Sequence, residues 1–206
     1  MSKLRETPPA TYPKYLHARS YLISNPPPKM SSQDQDQPWH TTTTTTTTTT
    51  IFPAPTRSAE TMPKQRAMQI LSMKIASLLI VDVRGTDYAG GCIRSSLNIP
   101  ARGLWWNRGA LYELAYKADV EWVVFACSGS SSDGSGGGES ESGRCAGWFL
   151  DHVRGVAGDG DMQVLVLEGG IEGWVRGGAQ FTRLMDGFRE EYWRELFAKE
   201  EELKEG

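Results

Sequence analysis

The chain has 206 residues and a formal net charge of −3, from 22 lysines and arginines against 25 aspartates and glutamates. That length suits one ordinary domain with tails, and the near-balance of charge gives no bulk attraction to nucleic acid or to a membrane surface. No apolar run approaches the roughly 20 residues that cross a bilayer, which argues against a membrane-spanning helix.

Residues 1–61 are rich in Pro, Ser, Gln and Thr and include an unbroken threonine run from Thr41 to Thr50. With no periodic apolar face, this stretch cannot offset its ordering entropy and is expected to be a disordered, low-complexity region. It lacks the apolar core and small-residue cleavage site of a secretory signal. Arg5, Lys14 and Arg19 give a faint presequence signature, but Pro8, Pro9, Pro13 and Pro26 to Pro28 break the amphipathic helix it would need. Three cysteines, Cys92, Cys127 and Cys145, fit thiols in a reducing compartment, cytoplasm or nucleus, better than a disulfide framework. No Cys-x-x-Cys pair occurs and His17 and His40 lie in the low-complexity part, so neither a metal site nor a cofactor is expected.

Folded structure is expected over residues 62–199. Pro63 followed by Ala67, Ile70 and Leu71 at helical spacing predicts a first helix over 64–73. Residues 78–83 (LLIVDV) form an apolar run ending at Asp82 and Arg84, the pattern of a strand covered on both faces. Residues 87–93 read as a turn with a tight Gly90-Gly91 bend, and 96–100 (SLNIP) as a short strand halted by its proline. A helix is predicted over 111–118, a second strand over 121–125, an amphipathic helix over 145–153 and a third strand over 163–167. Residues 171–175 supply one helical turn carrying Trp174. From Arg183 onward, Phe188, Tyr192, Leu196 and Phe197 make a stripe on a charged helix that docks by this stripe, with residues 200–206 fraying. Strands alternating with helices at this spacing predict an α/β fold with a mostly parallel sheet.

The most informative stretch is Val123-Val124-Phe125-Ala126-Cys127, which delivers a cysteine from a buried-type strand into a Ser/Gly loop that leads to a helix near Arg144. A thiolate at that place faces main-chain N–H groups and the positive end of a helix, which stabilise both the thiolate and a bound oxyanion.

These motifs together resemble the rhodanese-domain family. Asp82-Val83-Arg84, then Asp87-Tyr88-Ala89-Gly90-Gly91 with Ile93, then Asn98-Ile99-Pro100 are similar to the family's first half, and Gly169-Gly170 with Trp174 to its closing G-G-x-x-x-W element. The wording is most similar to the branch of fungal arsenate reductases and dual-specificity phosphatases. The resemblance implies a three-layer α/β fold, a central mostly parallel sheet flanked by helices. It places Cys127 at the family's nucleophile and Arg144 at the arginine that closes the loop around an oxyanion. Ser128, Ser142 and Gly143 would then belong to the oxyanion-binding loop, and Asp82 and Arg84 to the family's structural D-x-R pair. Three departures stand out: Ala126 replaces a frequent histidine before the cysteine, Cys92 replaces the histidine of G-H-I, and sixteen residues separate Cys127 from Arg144 where the family has four or five.

Loop length bears on chemistry because a short loop fixes its converging amides before the anion arrives. Doubling a loop costs only about 0.6 kcal/mol in closure entropy, so the fold tolerates the insertion, but preorganisation does not. Asp133, Glu139 and Glu141 also put negative charge beside a site meant for an anion. Two outcomes stay open: residues 134–140 bulge outward and the loop's ends still meet, or the loop is degenerate on an intact fold.

Other residues carry plainer readings. Cys145 is expected in the core beside Trp148 and Phe149, His152 on the solvent side of its helix, and Trp105, Trp106, Trp148 and Trp174 in the core or a crevice wall. Three functions follow: a cysteine-dependent phosphatase or arsenate-reductase-like enzyme acting on a small oxyanion or a phosphorylated substrate, with a thiol reductant for arsenate; a thiosulfate or persulfide sulfurtransferase; or an inactive rhodanese module used for binding or regulation.

Overall fold

Strand residues alternate sides strictly, and in this chain both sides are covered. The computed structural model describes residues 52–73, 77–129, 140–157 and 161–205. The expectations for residues 1–51 and for Asp133 and Glu139 lie outside these described residues. Strands β1 (Glu60–Met62), β2 (Leu78–Asp82), β4 (Leu97–Asn98), β5 (Trp122–Ala126) and β6 (Gln163–Leu167) form one sheet in the order β1-β6-β5-β2-β4, with every neighbouring pair parallel. A small antiparallel pair joins β3 (Cys92–Ile93) to β7 (Met185–Asp186).

Helices fill the connections, as parallel strands require. They are α1 (Lys64–Ser72), α2 (Ala101–Lys117), α3 (Glu141–Ala157), α4 (Gly170–Arg176), α5 (Ala179–Thr182) and α6 (Glu190–Glu205). Val123 and Phe125 of β5 point into a core built with Leu104, Leu111, Cys145, Phe149 and Val153 of α2 and α3. Val124 and Ala126 point the other way, toward Ile70, Ile171, Trp174 and Trp193. Two cores on one sheet give the expected three layers and explain why the strands read as unbroken apolar runs rather than alternating ones.

Several boundaries differ from the sequence pattern. Helix α2 begins at Ala101, ten residues before its predicted start, because Pro100 stands at its N-cap, just ahead of the first turn, while Gly103 and Gly109 depress the helical signal. The C-terminal helix starts at Glu190 rather than Arg183: β7 occupies the intervening chain, and Gly187 takes a positive φ of 66°. It runs on to Glu205, with Glu200 paired to Arg176 at 2.5 Å. Its anchor is Trp193, 3% exposed, whose indole N–H donates to Gly90 O at 2.8 Å. Residues 52–62 pack on the folded body. Phe52 stacks on Trp105 with ring centroids 5.3 Å apart, Trp148 Nε1 donates to Pro53 O at 2.7 Å, Thr56 N donates to Asp151 at 2.7 Å, and β1 extends the sheet.

His152 is a further correction. It is 4% exposed, edge-on to Tyr112 with ring centroids 5.8 Å apart, because it follows Trp148 by one turn on the inward face of α3. Burial first, and then the Arg108 charge, lower its pKa to about 4.

Candidate active site at Cys127

Cys127 follows the last residue of β5 and is 6% exposed. Its Sγ lies 3.2 Å from Ser142 Oγ, in the first turn of α3, and 3.1 Å from Gly129 O. Two ends of the chain separated by fifteen positions therefore meet at the sulfur. Cys127 and Ser142 meet, and residues 130–139 between them lie outside the described residues.

The closing glycines hold this strand end from the other side. Ile171 N donates to Cys127 O at 2.9 Å and Glu172 N to Ser128 O at 2.7 Å, so the start of α4 grips the two carbonyls of the loop's first residues. Gly170 permits that approach: its φ is +59°, and a Cβ there would lie 2.5 Å from Cys127 O.

Each residue singled out from the sequence can be located. Ser142 is 1% exposed and offers the sulfur both its hydroxyl and its main-chain amide. Gly143 N donates instead to Ser140 Oγ at 3.1 Å, a cap for the start of α3. The Ser128 hydroxyl donates to Asp87 Oδ2, and Gly85 N donates to Asp87 Oδ1 at 2.8 Å. Arg144 lies in the first turn of α3, its Cζ 5.8 Å from the Trp148 ring centroid. No hydrogen bond joins its guanidinium to Cys127 among the described residues, and its charge acts instead on Glu141.

Asp82 and Arg84 are buried together. Nη2 of Arg84 lies 2.7 Å from Asp82 Oδ2, Nη1 donates to Ala89 O at 2.9 Å and Nη2 also to Gly91 O at 2.8 Å. Asn98 Nδ2 donates to the carbonyls of Asp82 and Arg84 at 2.9 and 3.0 Å, tying β4 to the same hub. Cys92 lies beside Tyr88, whose pKa is pushed up to about 12 by its hydrogen bond with Cys92 and then by burial. Cys145 is fully buried in the α2–α3 core.

The electrostatics at the sulfur oppose thiolate formation. Burial raises the Cys127 pKa most; the hydroxyl and amide of Ser142 lower it; Glu141 and Asp87 raise it. Glu141 and Glu172 are raised in turn, each by burial first, and Asp87 pushes both further. An ideal Cβ on Gly129 would lie 2.7 Å from Glu172 Oε2, so that carboxyl sits against the loop. Among the described residues, no three His, Cys, Asp or Glu side chains converge as a metal-ligand set. Sequence reading flagged Glu141 but not Asp87 or Glu172. Their only signal was position: one leads the Asp-Tyr-Ala-Gly-Gly stretch, and the other follows the closing glycines by two.

No family model matches the chain, and the sequence of no curated protein matches it. Solved structures do. Ygr203w, a yeast protein tyrosine phosphatase of the Rhodanese family, superposes with a TM-score of 0.51 at 21% identity, over 66% of this chain and 96% of that one. The fold is rhodanese-like. The As-Sb reductase from Leishmania major is also similar, with a TM-score of 0.48 at 18% identity over 58% of this chain and 78% of its own. In this rhodanese-like fold Cys127 lies at the C-terminal end of the central parallel strand β5, where open α/β sheets place their ligands.

Proposed function

We propose that this rhodanese-like domain is a cysteine-dependent enzyme acting on a tetrahedral oxyanion, as a phosphatase or an arsenate-reductase-like enzyme, with Cys127 as nucleophile. The supporting observation is the meeting of Cys127 Sγ with Ser142 Oγ at 3.2 Å in the first turn of a seventeen-residue helix, where main-chain amides and the helix dipole favour negative charge. In the phosphatase form, Cys127 loses its proton and its sulfur attacks phosphorus. The bond to the leaving oxygen breaks, that oxygen takes up a proton, and water then hydrolyses the thiophosphate to release phosphate and restore the thiol. With arsenate, the same sulfur displaces a hydroxyl as water, and a thiol reductant supplies the second sulfur, so that arsenic gains two electrons as a disulfide forms.

Arg144 is proposed as the oxyanion ligand, swinging from Trp148 once an anion enters; Ser128, Ser142 and Gly143 line the loop. Substrates in this reading are small oxyanions or phosphorylated molecules, not nucleic acid or membrane, in the cytoplasm or nucleus. No helix among the described residues is long and apolar enough to cross a membrane. The test is turnover of p-nitrophenyl phosphate and of arsenate by the full chain and by Cys127→Ser. Loss in the variant by orders of magnitude supports the reading, and absence of activity in the parent rejects it. Sulfur transfer to cyanide that the variant loses would favour a sulfurtransferase instead.

A second reading, a non-catalytic module, is favoured by the raised thiol and by Gly129 O lying 3.1 Å from the sulfur, where an anion's oxygen would be repelled. Removing residues 134–140 separates the two. Activity gained only on shortening marks the native chain as a scaffold.

A further inference from the structure

Asp87 is exposed and lies forty residues before the cysteine, yet it touches the loop more directly than Arg144 does. One carboxylate oxygen accepts from Gly85 N at 2.8 Å and the other from the hydroxyl of Ser128, the first residue after Cys127. Gly85 follows Arg84, which is locked to Asp82, Ala89 and Gly91, so the carboxylate hangs from a buried, fully hydrogen-bonded polar hub. The far side of the same loop segment is held by Glu172 N on Ser128 O at 2.7 Å. Ser128 is thus fixed at its side chain and its carbonyl, and the next carbonyl, Gly129 O, is held at the sulfur at 3.1 Å.

We propose that Asp87 is a positioning residue of the Cys127 site: it clips Ser128 so that the Gly129 carbonyl covers the sulfur, and its charge adds to burial and Glu141 in disfavouring the thiolate. This deepens the reading of Cys127 as the nucleophile and rests on it. The clip and the charge act through different features of one carboxylate, so they can be separated. Asparagine in place of Asp87 keeps the contacts, since its oxygen accepts from Gly85 N and its amide donates to Ser128 Oγ, the hydroxyl reversing its role. It removes only the charge. Alanine in place of Ser128 removes the clip and leaves the charge.

Groups facing the sulfur or its neighbours are Asp87 from the loop after β2, Glu141 and Arg144 from α3, Arg102 from α2 and Glu172 from α4. Glu141, Arg144, Arg102 and Glu172 remain in both variants, so the change in midpoint reads the loss of the Asp87 charge together with its effect on Glu141.

The experiment is the rate of iodoacetamide alkylation of Cys127 in the full chain, followed by peptide mass mapping from pH 6 to pH 10. Asp87→Asn is expected to lower the midpoint of the rate profile and speed alkylation at pH 7 about threefold, as removal of one exposed neighbouring charge should. Ser128→Ala is expected to leave the midpoint in place and raise the plateau rate about tenfold, the effect of losing a hydrogen bond to a charged acceptor. An unchanged midpoint in the first variant, or an unchanged plateau in the second, overturns the proposal. Neither readout needs turnover. A parent without Cys127-dependent activity therefore rejects the enzymatic reading by a different measurement from the one that rejects Asp87.

Discussion

Two buried polar centres stand on neighbouring strands and are built in opposite ways. Asp82 ends β2 and is the cross-strand partner of Ala126, the residue before Cys127. At Asp82–Arg84 opposite charges lie 2.7 Å apart, and Nε, Nη1 and Nη2 of the guanidinium all have acceptors. At Cys127 the thiol has one hydroxyl, one amide and one carbonyl, with the Asp87 and Glu141 carboxylates as its charged neighbours. The first centre is satisfied and therefore rigid. The second is held in the less reactive protonation state, so whatever enters it can change that state. A fixed frame beside a responsive site lets the local geometry survive a change of charge.

The sharpest way to break the contrast is to break the frame. Arg84→Ala leaves Asp82 buried without its counter-ion, and the expected loss is about 3–5 kcal/mol of unfolding free energy, read by urea denaturation. A loss below about 1 kcal/mol would show that the hub is not the rigid element described.

His152 tests whether burial, with the Arg108 charge beside it, sets a protonation state. Its folded pKa of about 4 lies below the ordinary 6.5, so between these values the unfolded chain binds more protons than the folded one. Stability is then full above pH 6.5 and falls as pH drops toward 4, by at most about 3 kcal/mol at 1.36 kcal/mol per pH unit. His152→Phe should flatten that part of the stability profile; a slope that persists in the variant would assign the effect to other groups.

Gly170→Ala attacks the grip on the loop rather than the hub. The substitution forces a side chain into a left-handed conformation and against Cys127 O, at an expected cost of about 1–3 kcal/mol. Cys127 alkylation should accelerate in the same variant if α4 shelters the sulfur. Glu141→Gln has the smallest expected effect. It removes one of the two carboxylates raising the thiol, so the alkylation midpoint should fall by a fraction of a pH unit with stability unchanged. A midpoint that rises would reverse the sign assigned to Glu141.

Much of the frame was legible from residue order. The runs over 78–83, 121–125 and 163–167 became the three inner strands β2, β5 and β6, since only a doubly covered parallel sheet uses unbroken apolar runs of that length. Cys127 at a strand end and a helix after the Ser/Gly loop were legible for the same reason. His152 and Trp193 were misplaced or overlooked because polar or charged neighbours masked their phase on the helix. The strand over 60–62 was illegible, since three residues with two exposed side chains carry no period; it exists only because β6 offers it an edge.

Local chemistry in the chain therefore determined the layering, the strand that carries Cys127, and the glycines that let neighbouring segments come close. Tertiary structure alone decided that Ser142 returns to the sulfur and that Asp87 reaches Ser128. The physical reason is range. Apolar periodicity is written in residues a few positions apart, whereas the charge state of a buried thiol depends on groups from separate segments, here Ser142 and Glu141 of α3 and Asp87 of the loop after β2, a sum that no local pattern records.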